Sequence, residues 1–162
     1  MFGLVFAIGL MATPAIADPV EVGVTDNPYW PAIFYETPIR KLGTANFNLA
    51  AAKFRKPSQK LELFVVLTAF YDEDEWRDFY AAHMRGGVEL PFKADQRAKT
   101  NCTSEGRCMR TEQASITITL SQLREGSRNG FDIMVSARHG NEAFIKIDAA
   151  EAAALMKAVG IE

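Results

Sequence analysis

A chain of 162 residues that sets 18 Lys and Arg against 20 Asp and Glu carries a formal charge of -2, and 48% of it is hydrophobic. Such a length suits one domain and is enough to bury a core. The near-neutral, well-mixed charge excludes the basic face that nucleic-acid binding needs, and no repeat or low-complexity tract divides the chain.

The chain opens MFGLVFAIGLMATPAIADP. Phe2 to Ala12 is free of charge, Pro14 breaks the run, and Ala15-Ile16-Ala17 offers a small-x-small cleavage site. This pattern predicts a signal peptide over residues 1–17, cut after Ala17, and a periplasmic or secreted mature chain, although its n-region lacks Lys and Arg. The run is too short for a transmembrane helix, which needs about 20 apolar residues, so no transmembrane segment remains once it is removed.

Residues 18–42 read as an extended, Pro- and aromatic-rich arm, and residues 43–162 as a single β-rich globular domain. In the arm, Val20, Val22 and Val24 alternate with polar residues, which suggests one short strand. Pro19, Pro28, Pro31 and Pro38 forbid a helix and confine any strand to an edge. Tyr29, Trp30, Phe34 and Tyr35 are expected to lie on the body of the domain.

Residues 44–54 are open to both readings, because Phe47 and Leu49 alternate with asparagines while the AAAK run favours a helix. Residues 61–71 form the strongest strand, with apolar residues on both faces, and should be central. Over 73–85 two readings compete. Trp76, Phe79, Tyr80, His83 and Met84 fit an amphipathic helix with a capping box at Asp72 and Glu75. The rival is a hairpin, with an aromatic strand from Trp76, a Gly86-Gly87 turn and a return strand from Val88 to Phe92.

Arg97 to Cys102 leads into a loop and Cys108 to Leu120 leads out, with Ser115 to Leu120 alternating strictly. Cys102 and Cys108 are the only cysteines. In an oxidising compartment they should close as a disulfide clamping the tip of a hairpin, worth about 2 kcal/mol in the chain-entropy picture. Their spacing is not C-x-x-C, so the thiol activation of that motif is absent. Residues 128–130 read as a turn before a strand at 131–137, and 139–141 as a turn before a strand at 143–147. The C-terminal run predicts a helix with Asp148 as N-cap, Glu151 completing a capping box and Gly160 as the stop. Ala152, Leu155, Met156 and Val159 form its packing stripe. The elements add up to a predominantly β domain, an antiparallel sheet or two-layer β-sandwich with a short C-terminal α-helix. The helical reading of 73–85 makes it α+β instead.

Chemistry-bearing patterns are sparse. The acidic run around Asp72, Glu75 and Asp78 lacks calcium-loop spacing and reads as a solvated turn. Ser136 and His139 stand too close in sequence for a triad, and no G-x-S-x-G occurs. Glu105, Glu112, Asp132 and Glu142 are the carboxylates available for pairing, but no spacing joins them. His83, Met84 and Met109, with the cysteines, are the soft-ligand set for Cu(I), and oxidation of the cysteines takes the thiolates away and with them this reading. Trp30, Tyr35, Trp76 and Tyr80 are the aromatics best suited to a binding surface. No catalytic residue and no cofactor is indicated. The leading functional reading is an exported, non-catalytic binding or assembly module whose expected partner is another envelope protein. The alternatives are a copper-binding protein and a small hydrolase using a histidine.

Overall fold

A computed structural model describes residues 19–56, 58, 60–72 and 75–161; the signal peptide expected over residues 1–17, with its expected cleavage after Ala17, lies outside the described residues. The described chain forms eleven strands and two helices. The strands make two antiparallel sheets, as the β-sandwich reading expects.

The larger sheet runs β1-β2-β4-β5-β9-β8, with β3 sharing the β2 edge of β4. Its centre is β5 (Leu61–Tyr71), paired with β4 (Ala45–Phe54) on one side and with β9 (Met109–Ile118) on the other. Nine cross-strand pairs hold each of these ladders, from Lys53↔Leu61 to Ala45↔Ala69 and from Leu63↔Ile118 to Tyr71↔Arg110. The alanine run of residues 44–54 is therefore strand, because sheet neighbours on both sides outweigh the helical preference of AAAK. The arm is strand as well: β1 (Gly23–Thr25), β2 (Ala32–Glu36) and β3 (Arg40–Leu42) add to the same sheet, with β1 at its edge.

The smaller sheet runs β11-β10-β6-β7. The hairpin reading of 73–85 is the correct one, and the helix alternative fails there: β6 (Phe79–Met84) turns at Gly86 and Gly87, both at positive φ, into β7 (Val88–Leu90). Pairing with β10 (Phe131–Ala137) decides the matter over the local helical period. A bulge in that ladder inserts Tyr80, so that Phe79 and Ala82 point into the core while Tyr80 is exposed. β10 and β11 (Ala143–Ile147) form the expected hairpin. Between Leu90 and Phe92 the chain passes at Pro91 from the small sheet into β8 (Phe92–Thr100) of the large one.

The inner faces meet in one core. Leu63, Val65 and Leu67 of β5 and Ile116 and Ile118 of β9 join Ile133, Val135, Ile145 and Ile147 of the small sheet. The C-terminal helix α2 (Ala149–Val159) lies against β2 and β4 and buries Ala152, Leu155, Met156 and Val159, the expected stripe. Arg40 of β3 ties down its start, bonding Asp148 at 2.6 Å and the buried Glu151 at 2.9 Å. One helix corrects the sequence reading. Leu120, read as a strand end, Arg128 and Asn129, read as part of a turn, and the unassigned residues between them form α1 (Leu120–Asn129), capped by Thr119, whose side chain accepts from the Gln122 N–H. Leu120 is therefore its first residue and not the last of the alternating strand.

α1 must turn into β10 within one residue, Gly130, at φ +70. A Cβ there would stand 2.7 Å from the Ile147 carbonyl oxygen. Gly130→Ala combines left-handed strain with a backbone clash and should lower stability by about 2 to 4 kcal/mol, measured by urea denaturation.

Candidate binding surface

Two of the four aromatics proposed for binding, Trp76 and Tyr80, stand where the chain passes from β5 to β6, each beside arginines. The focus of that region is Glu112, a carboxylate 4% exposed on β9. It accepts the Tyr71 hydroxyl at 2.7 Å, the Asp78 N–H at 3.1 Å and the Arg97 Nε at 2.8 Å. Tyr71 Oη accepts the Arg77 N–H at 3.1 Å, and Asp78 sits at φ +55 to bring its own N–H inward. The Asp78 side chain holds Arg97 and, at 3.0 Å, the Nε of Arg138. Arg97 and Arg110 lie over Trp76 with guanidinium carbons 5.6 and 5.7 Å from the ring centroid, and Arg138 lies over Tyr80 at 5.2 Å. Burial, reinforced by the bond to Glu112, pushes the Tyr71 hydroxyl far above its ordinary range. The Arg97 guanidinium holds the Asp78 carboxyl below its ordinary value. Each carboxylate here is engaged by protein groups, so the network acts as a lock on the β5–β6 connection and offers no reactive group.

The second surface is the outer face of the large sheet. Alternation sends Phe64, Val66 and Phe70 of β5 away from the core, and all three stay half-exposed. The register sets Phe64 opposite Ala50 and Thr117, Phe34 of β2 opposite Ala52, and Phe54 opposite Ala32. Large rings thus alternate with small residues. Phe34, Phe54 and Phe64 line a shallow cleft of about 400 Å³ made entirely of strand residues. Trp30, 45% exposed, packs edge-on against Phe34 with ring centroids 5.7 Å apart and extends this apolar area. Glu62 and Lys93 sit at the rim of the cleft. At the other end the same face is mixed, with Asn46, Asn48 and Thr68 beside Val66 and Phe70.

The remaining candidates are dispersed. Tyr35 is 9% exposed and belongs to the core, because it is the inward residue of β2. Tyr29, expected to lie on the body, is 93% exposed. Cys102 and Cys108 form a disulfide at the tip of the β8–β9 hairpin, as the spacing suggested, and supply no thiolate. Strand alternation puts His83 and Met84 on opposite faces of β6, and Met109 starts β9 in the other sheet. His139 is an exposed turn residue with Nδ1 3.5 Å from Glu75, while the Ser136 hydroxyl donates to Glu142 at 3.4 Å, so the two make no triad. A cleft of about 600 Å³ between α1 and the small sheet is lined by Met84, Val88, Gly126 and Phe131; charges of both signs ring it, and it selects no single chemistry. Among the described residues no three of His, Cys, Asp and Glu cluster as metal ligands, and no helix is long and apolar enough to cross a membrane.

Sequence reasoning missed the Glu112 network and the Phe face. The first had no local signal, since its members, Tyr71, Arg77 and Asp78, Arg97, Glu112 and Arg138, come from five separate segments. The second was signalled by the apolar residues on both sides of β5, taken as a sign of burial.

Glu112→Ala strands the Tyr71 hydroxyl, the Asp78 N–H and one Arg97 bond, so it should cost about 3 kcal/mol by denaturant unfolding. Asp78 supplies the pH dependence. A carboxyl held below its unfolded value of 3.8 contributes stability that is whole above that pH and is lost as pH falls through the folded value. Asp78→Asn should therefore flatten the acid limb of stability below about pH 4 in a urea series across pH. No protein-family model matches the chain, and neither the curated proteins nor the solved structures yield a match.

Proposed function

We propose that this chain is a small exported, non-catalytic binding module, working in the periplasm and holding another envelope protein against the outer face of its larger sheet. One observation carries the reading: Phe34, Phe54 and Phe64 stand half-exposed in one contiguous apolar area on a face of the sheet. Apolar patches of that kind, rimmed by polar residues, mark interaction sites. The layout suits a protein partner. Rigid aromatic anchors occupy the middle, and Glu62 and Lys93 stand at the edge, matching the apolar centre and polar rim of interfaces. A nearly flat sheet face fits another sheet or an amphipathic helix better than a small ligand, which needs a concave site. The uncharged run Phe2 to Ala12 and the Ala15-Ile16-Ala17 site support export, and the disulfide is compatible with it. The absence of a recognisable catalytic pattern in the sequence agrees with a binding role.

Crosslinking in a periplasmic extract tests this. The wild-type chain should give a discrete crosslinked product, identifiable by mass spectrometry. Phe64→Arg puts a charge at the centre of the patch on a solvent-facing position and should abolish that product while leaving the circular dichroism spectrum intact. Tyr80→Ala, at the far end of the sandwich, should retain it. A product that is indifferent to Phe64→Arg, or none at all, sinks the proposal.

A further inference from the structure

The outer face of the smaller sheet carries a different chemistry. The register of β7, β6, β10 and β11 places Glu89, His83, Met134 and Phe144 directly opposite one another in a single row. Side chains opposed in this way have Cβ atoms about 4.5 to 5.5 Å apart. His83 is half-buried, and its Nδ1 is shut off from solvent with no hydrogen-bond partner. A buried ring nitrogen in that state calls for an explanation, because such groups are otherwise paired. Its neighbour on one side is the Met134 thioether, half-buried; on the other it is the exposed Glu89 carboxylate. Phe144, 61% exposed, flanks Met134 with an apolar ring.

We propose that His83 and Met134, with Glu89 at the rim, bind a single Cu(I) ion. Imidazole nitrogen and thioether sulfur are the ligand types that a soft monovalent ion takes, whereas zinc and calcium sites call for more nitrogen, thiolate or oxygen donors than this row offers. The Glu89 carboxylate balances the single positive charge. His83 and Met134 are half-buried and the Phe144 ring flanks the thioether, an apolar setting that suits a thioether bond. The ligand set differs from the one that sequence adjacency suggests. Met84 follows His83 in the chain but points to the inner side of β6, while Met134 comes to the same face from β10. The site needs no thiolate, so the disulfide does not abolish it. It stands independently of the partner-binding reading and uses the other outer face of the sandwich.

The test uses the full chain with its disulfide intact, titrated anaerobically with Cu(I) from its acetonitrile complex against a chromogenic Cu(I) chelator. Native mass spectrometry should show one copper per chain. His83→Gln and Met134→Leu should each weaken retention roughly tenfold or more, and Met84→Leu and Met109→Leu should leave it unchanged. In wild-type protein with labelled methionine methyl groups, Cu(I) should shift the Met134 resonance and leave that of Met84 in place, a readout that needs no variant to fold. Failure of the wild-type chain to hold Cu(I) against the chelator overturns the proposal. So does a shift of the Met84 methyl in place of Met134, or equal weakening by Met84→Leu.

Discussion

The pairing of β5 with β4 and β9 fixes the two-residue alternation on which the rest of the molecule depends. Once Leu63, Val65 and Leu67 point inward, Phe64 and Val66 must point outward, and the ladders carry that choice across neighbouring strands. A slip of one residue would exchange the two sets throughout the sheet. The small sheet obeys the same rule, adjusted by the bulge at Tyr80 so that Phe79 and Ala82 both reach the core. Two sheets meeting on their inner faces leave two outer faces. Both candidate sites are products of that geometry, one aromatic and one built on histidine and methionine.

Alternation alone does not hold the ends of the sandwich. The chain leaves β5 at Tyr71 and enters β6 at Phe79, passing from one sheet to the other. The buried Glu112 solves that problem by receiving the Tyr71 hydroxyl, a backbone N–H from the start of β6 and a guanidinium from β8. A charge buried in this way is costly unless it is paired and hydrogen-bonded. Here three donors from three segments meet it, so removing any one of them leaves the others facing a less well compensated charge. On the β4 side of β5, Arg40 joins β3 to Asp148 and Glu151 and fastens α2 over the sheet. Two buried carboxylates, Glu112 met by Arg97 directly opposite it on β8 and Glu151 met by Arg40 of β3, fix how the layers close.

What the sequence made legible follows from how local each signal is. β5, the β10–β11 hairpin, α2 with its capping box, and the clamped cysteine hairpin each announce themselves within a dozen residues or so. Residues 73–85 carried a genuine conflict, because Trp76, Phe79, Tyr80 and His83 satisfy a helical period while the decisive influence, β10, lies far along the chain. α1 was hidden for another reason. It buries only one large side chain, Leu123, and so has no apolar stripe to read. Its one clear mark was Thr119 with Gln122 three residues on, masked by the alternating strand that runs up to it. The candidate sites were less legible than the fold. Trp30 and Trp76 were selected for their residue type, yet one packs against Phe34 beside the sheet face and the other is covered by two arginine side chains. Neither the Phe face nor the His83–Met134 pair has any contiguous sequence pattern.

The choice of sulfur ligand connects the second face to the compartment proposed for the chain. In an oxidising environment free thiols do not persist, and both cysteines here are committed to closing a hairpin tip. A soft-metal site in such a place has to draw on thioether and imidazole, which need no deprotonation by the metal and form no disulfides. The split of sulfur chemistry seen in this fold fits that demand, with cysteine used only for covalent closure and methionine left beside a histidine whose ring nitrogen has no protein partner. The arrangement also separates the two proposed activities, because a metal held on the small sheet leaves the aromatic face of the large sheet open to a protein. Binding at one face is then coupled to the other only through the shared core of β5, β9, β10 and β11. That core is close-packed, so coupling requires a second arrangement of its side chains.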